Sequence, residues 1–98
     1  MTVSVIANFP VHPEQLEEFL QALHVALADT RAFEGCEVLD TYVDIDRPGL
    51  VVLWEQWPTK EHHRRYVQWR RESGSAEFLT PYLADRITFS YLEPRPAI

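Results

Sequence analysis

Residues 2–9, TVSVIANF, alternate in phase: Val3, Val5, Ala7 and Phe9 fall on one side of an extended chain, Thr2, Ser4, Ile6 and Asn8 on the other. Period two with β-branched residues predicts a strand. The prolines of PVHP, 10–13, stop it, because proline cannot donate to a ladder. Pro13 suits the first position of a helix, where a missing N–H does no harm, and Glu14, Glu17 and Glu18 suit the positive end of its dipole. Leu16, Phe19, Leu20, Leu23 and Leu27 then recur at steps of three and four, which predicts an amphipathic helix over 13–31. Gly35 is placed to close it in a left-handed conformation. In 36–46, Leu39, Thr41, Val43 and Ile45 alternate with Val38, Asp40 and Tyr42, a second strand, and DRPG, 46–49, has the residues of a tight turn. LVVLWEQW, 50–57, is almost continuously apolar, as in a central strand covered on both faces. Pro58 closes it and Thr59 caps a second helix over 59–72. After ESGSAEF interrupts that helix, AEFLTPYLAD forms a short helix or turn, RITFSYLE (86–93) a last strand, and PRPAI a tail.

The order β-α-β-β-α-β predicts the α+β class: a ferredoxin-like, four-stranded antiparallel sheet with both helices on one face. Its 98 residues make a single domain, 1–98, with a tail from about 94. Such a sheet leaves its second face bare, and here the strands are apolar on both faces: Ile6 beside Val5, Val52 beside Leu53, Leu92 beside Tyr91. An exposed patch of that extent predicts a homodimer in which two sheets close on each other as a barrel, through a twofold, self-complementary interface.

Charge and composition narrow the partners. A net charge of −6 argues against nucleic acid and anionic membranes. No run of ~18 apolar residues is present to span a bilayer, and MTVSVIANFPVHPE lacks the basic start and long apolar stretch of a secretory signal. A single cysteine, Cys36, excludes an internal disulfide. A cytoplasmic location is therefore expected.

Candidate chemistry concentrates in WEQWPTKEHHRRYVQW, 54–69, which holds all three tryptophans and two adjacent histidines. Trp54 and Trp57 are an odd number of residues apart, so they point to opposite faces of their strand. On the second helix His62, Tyr66, Trp69 and Ser73 share one stripe, and His63, Tyr66, Val67 and Arg70 the adjoining one. A pocket with His62 or His63 as base, Tyr66 as hydrogen-bond partner and Trp69 as wall is chemically sensible, since imidazole titrates near neutral pH. The competing reading is that one histidine is solvated and the other packs at the helix edge. The pair is unsuited to a metal, because neighbours on a helix diverge by about 100° and no Cys or carboxylate completes a ligand spacing. Lys60, Arg64, Arg65, Arg70 and Arg71 read as a solvated face, with Arg70 the exception that could meet an anionic substrate or a phenolate. Asn8 could bind a substrate carbonyl or phenol oxygen if its side of the first strand looks toward the helices. Cys36 reads as structural and His24 as surface.

The segment TRAFEGCEVLDTYVDIDRPGLVVLWEQWPTKEHHRRY, 30–66, resembles the antibiotic biosynthesis monooxygenase family of dimeric α+β barrels. The likeness lies in a Gly-Cys pair before strand two, an apolar third strand ending Glu-x-Trp, and a short polar link into helix two. The resemblance implies ferredoxin-like protomers in a sheet-to-sheet dimer, and oxygenation of aromatic or quinol-like compounds by dioxygen with no cofactor, neither metal nor flavin. Similar members carry a histidine nine residues after the Glu-x-Trp tryptophan, where Tyr66 stands here. Haem-degrading relatives use an Asn near the end of strand one, a Trp on helix two and a His beyond it. Asn8 matches the first, but Tyr66 and Ala76 occupy the other two positions, which disfavours haem degradation. The expected activity is a cofactor-independent monooxygenase on a polycyclic phenol or quinol, with His62, His63 and Tyr66 catalytic and Asn8, Trp57, Trp69 and Arg70 binding substrate. Two alternatives stay open: a non-catalytic dimeric binder of a small aromatic or quinone, and a cyclase-type isomerase.

Overall fold

The computed structural model describes residues 2–98. Its strands are β1 (Val3–Pro10), β2 (Val38–Val43), β3 (Leu50–Trp57) and β4 (Thr88–Leu92). Its helices are α1 (Leu16–Ala32) and α2 (Lys60–Ser73). All sheet neighbours are antiparallel, in the order β2-β3-β1-β4. This is the ferredoxin-like α+β arrangement that the element order predicts. The registers Val5↔Glu55 and Val5↔Tyr91 set the sheet's two faces. Val5, Ala7, Phe9, Val51, Leu53, Glu55 and Trp57 turn to the helices and are buried. Ile6, Asn8, Val52 and Trp54 lie on the other face and stay part-exposed. Within the protomer β3 is therefore covered on one face, not two.

Helix α1 begins later than the sequence pattern suggests, because Pro13–Gln15 form a 3-10 turn first. Its buried residues Phe19, Leu23, Ala26, Leu27 and Thr30 follow the helical repeat and pack on the sheet. Thr59 caps α2, its hydroxyl accepting from the His62 N–H at 3.2 Å, and Gly74 ends it at φ 65°. The second strand is shorter than its alternation implies, since the Asp44 carboxylate accepts from the N–H groups of Asp46 (2.9 Å) and Arg47 (3.1 Å) and folds the chain into the turn. Pro10 is the last residue of β1 rather than the one beyond it. Gly49 is obligatory at φ 87°: a Cβ there would lie 2.2 Å from the Val11 carbonyl oxygen. Residues Glu77–Tyr82 form a 3-10 segment whose Leu79 is buried in the core, closing one end of the space beneath the helices. Among the described residues no helix is long and apolar enough to cross a membrane.

Candidate functional site

Between α1, α2 and the sheet the core does not close. A cavity of about 260 Å³ remains, walled by apolar side chains that include Phe9, Leu23, Leu53, Leu79 and Phe89. Glu55, Tyr66 and Arg70 bring polar groups to this lining. The volume lies just below the ~300–1,000 Å³ of typical small-molecule pockets, and an apolar wall with few converging polar groups is the usual composition of such a site.

Glu55 reaches the cavity because β3 places it in phase with Leu53 and Trp57. Residues two apart on a strand share a face, and the Trp57 indole N–H donates to Glu55 Oε1 at 2.9 Å. Burial raises the Glu55 carboxyl from 4.5 to about 7, and the indole hydrogen bond only partly opposes this. On the other side stands His63, fully buried, with Nε2 3.7 Å from Glu55 Oε1. Burial lowers the imidazole from 6.5 to about 4. Near neutral pH the imidazole is therefore neutral and the carboxyl part-protonated, so the two do not form a full ion pair. His63 Nδ1 is bonded to the Tyr91 hydroxyl at 2.8 Å, whereas its Nε2 is buried without a hydrogen-bond partner. Burial also raises the Tyr91 phenol, so it stays protonated at neutral pH. Glu55, His63 and Tyr91 thus form a line from the cavity to the part-exposed β4 edge, where Lys60 Nζ lies 4.7 Å from the Tyr91 ring centre.

Tyr66 and Arg70 bring further polar groups to the lining. Arg70 donates from Nε to the Tyr66 hydroxyl (2.8 Å), from Nη1 to Ser75 Oγ (3.1 Å), and from Nη2 to Ala26 O (2.7 Å) and Thr30 Oγ1 (3.0 Å). The Tyr66 and Thr30 hydroxyls are 2.6 Å apart, one donating to the other. The Arg70 guanidinium also lies 5.3 Å from the Tyr66 ring centre and 5.0 Å from that of Trp69.

The structure sorts the sequence candidates. His63, Tyr66 and Arg70 come together on the helix stripe that faces the sheet, and Trp57 packs behind them, its ring 5.4 Å from both His63 and Tyr66. His62 does not join them. Its Nδ1 bonds Thr59 Oγ1 at 2.7 Å and its ring lies against Gly35, where a Cβ would come within 2.9 Å of Cδ2. Trp69 is outside the cavity lining, beside Phe33 at 5.4 Å and over a shallow outer groove. Asn8 faces away from the helices, bonded to Thr88 Oγ1 at 3.5 Å, so the condition for its amide to meet a ligand under the helices is not fulfilled. Sequence reasoning misses Glu55, Thr30 and Tyr91. The sequence signal for Glu55 is a carboxylate in phase with the inward residues of an otherwise apolar strand. Burial pushes the Cys36 thiol up, in keeping with a structural role. Among the described residues no group of three or more His, Cys, Asp or Glu side chains could hold a metal ion.

A family model for antibiotic biosynthesis monooxygenases matches residues 2–71. Solved structures resemble the chain over nearly its whole length. Rv0793 from Mycobacterium tuberculosis is 23% identical with TM-score 0.77, over 97% of this chain and 96% of that one. A conserved protein from Methanosarcina mazei Go1 is 18% identical with TM-score 0.81, over 97% and 94%. A monooxygenase from the gene ActVA-Orf6 of Streptomyces coelicolor, solved in complex with the ligand Nanaomycin D, is 20% identical with TM-score 0.76, over 98% and 89%. At these identities the likeness is one of fold. No curated protein sequence matches the chain.

Proposed function

The chain belongs to the antibiotic biosynthesis monooxygenase family, and from that premise we propose that it oxidises a phenol- or quinol-type aromatic with dioxygen, without a metal or flavin, as a cytoplasmic homodimer. The observation that carries this reading is the apolar cavity of about 260 Å³, into which Glu55, Tyr66 and Arg70 project polar groups.

Dioxygen in its ground state reacts slowly with closed-shell organics, but an electron-rich phenolate can reduce it by one electron. The protein's tasks are to hold the ring in a dry space, remove the phenolic proton and stabilise the anions that form. Glu55, with a carboxyl at about 7, is matched to the first proton transfer at neutral pH. Glu55 holds that proton, while His63, fixed by Tyr91, packs beside the carboxyl. Tyr66, whose hydroxyl Arg70 holds in place at 2.8 Å, stabilises the phenolate and the superoxide it generates. The two radicals join at a ring carbon through a new C–O bond. The peroxide takes a proton back from Glu55, and loss of the ring carbon's proton then breaks the O–O bond of the hydroperoxide, leaving a ring carbonyl and hydroxide, which protonates to water. A phenol with a free para C–H plus O₂ thus yields a quinone and H₂O, one oxygen atom going to each. Trp57 fixes the Glu55 carboxyl by its N–H bond. His62, Asn8 and Trp69 lie outside the cavity and are assigned no step.

The dimer rests on the uncovered sheet face. Ile6, Val52 and Trp54 are only part-buried there, and Tyr42 and Leu92 are exposed. A second copy of the same face would cover them.

The test is metal-free oxygen uptake with dihydroxynaphthalene substrates, quinone formation being followed by absorbance. The expected result is turnover whose kcat/KM rises with pH through about 7 as Glu55 ionises. Glu55→Gln should abolish that rise, and Tyr66→Phe should lower kcat about 10–100-fold. Saturable quenching of tryptophan fluorescence with no oxygen consumed would make the chain a binder and refute the oxygenase reading.

A further inference from the structure

Arg70 is a buried cation without a counterion. Its residue exposure is 9%, and its four acceptors, Ala26 O, Thr30 Oγ1, Tyr66 OH and Ser75 Oγ, are all neutral. Among the described residues Arg95 pairs with Glu93 and Glu55 lies beside the neutral His63, so no carboxylate is paired with Arg70. Neutral acceptors satisfy geometry but leave the charge uncompensated, and a desolvated charge in that condition is costly. A guanidinium has five N–H donors, and four are engaged here, leaving one on Nη1. The four bonds hold the plane of the group rigidly and thereby preorganise that last donor. Arg70 also lines the cavity, whose one acidic member is Glu55. A fixed, unneutralised cation at the wall of an apolar space is built to receive an anion.

We propose that the natural ligand of this cavity is an aromatic acid: a flat ring system bearing a carboxylate that pairs with Arg70, the ring lying against the apolar wall. The assignment rests on the oxygenase reading for the reaction but concerns only what the cavity selects. Arg70 is then the specificity-determining residue, holding the ring by its acid so that an oxidisable hydroxyl elsewhere on it meets Glu55. The carboxylate takes no part in the oxidation.

The experiment measures binding of three probes of one shape to the full chain by calorimetry at neutral pH: 2-naphthoate, 2-naphthamide and 2-naphthol. None is asked to react. The acid should bind at least tenfold more tightly than the amide or the phenol. Arg70→Lys should reduce that preference and Arg70→Gln should remove it. Should either variant fail to fold, the three probes on the unaltered chain still decide the matter. Equal affinities for acid and amide would overturn the assignment, as would no binding of any probe. Oxygen uptake is scored separately with a neutral dihydroxynaphthalene. A chain that oxidises it yet shows no preference for the acid keeps the oxygenase reading and loses this one. A chain that selects the acid but consumes no oxygen loses the oxygenase reading alone.

Discussion

Replacing Glu55 by glutamine tests the electrostatics of the site without any substrate. The carboxyl is buried beside a neutral imidazole and takes up its proton far more readily in the fold than in the open chain. The rise from 4.5 to about 7 spans about 2.5 pH units, and at ~1.36 kcal/mol per unit it amounts to about 3 kcal/mol. The sign follows from where the proton binds. Below pH 4.5 both folded and unfolded chains hold it, and the stabilising contribution is complete. Between 4.5 and 7 the unfolded chain releases it first, and above 7 the folded protein carries a buried charge, so the contribution is lost. A glutamine side chain has no such proton, yet keeps an oxygen to accept the Trp57 N–H and offers an N–H to the unpartnered His63 Nε2. Urea unfolding of the Glu55→Gln variant at fixed protein concentration, at several values from about pH 5 to 8.5, should therefore show it gaining about 2–3 kcal/mol on the natural chain as pH rises. Most of that gain should fall below about pH 7.5. The open-chain protonation of His63 is common to both proteins and cancels in the difference. Parallel stability curves would mean that Glu55 titrates as an ordinary surface carboxylate, and the case for a base poised near neutrality would fail.

Three further outcomes are expected. Tyr91→Phe removes the one hydrogen bond to His63 and should cost about 1–3 kcal/mol by thermal unfolding; in the oxygenase assay it should lower kcat without changing KM. Gly49→Ala forces a Cβ to within 2.2 Å of a backbone oxygen at a left-handed φ, and should destabilise by about 2–3 kcal/mol, measured by urea midpoint at constant m-value. Trp54→Glu places a charge on the bare sheet face, and sedimentation at micromolar concentration should show the homodimer giving way to an 11.5 kDa monomer; an unaltered particle would show that the interface lies elsewhere.

Much of the fold is legible in local pattern. Strict alternation identifies β1, apolar continuity β3, and the three-and-four spacing of Phe19, Leu23 and Leu27 identifies α1. The errors fall where a side chain competes with the regular element. Asp44 folds the end of the second strand into a turn, and Pro13 begins a 3-10 turn before the helix. The site is half legible. Tyr66 lies at the crossing of two helix stripes, and Arg70 stands apart as the one base on its helix read as turning inward. Which of two adjacent histidines is buried cannot be read from spacing. Neighbours on a helix differ by about 100°, and the docking angle of α2 on the sheet chooses between them.

The residue pattern alone settles the order of elements and the alternation along β1 and β3, so that Glu55 and Trp57 share one face and Trp54 the other, because side-chain alternation along a strand is a local property of the backbone; it leaves open which of those faces meets the helices. Long-range contacts decide which sheet face turns to the helices, that His63 and Tyr91, 28 residues apart, meet, that Thr30 crosses to Tyr66, and that a cavity remains under the helices. Those facts depend on how far the helices stand off the sheet and on the desolvation each group then suffers. Both are set by the packing of the whole chain and not by any segment of it.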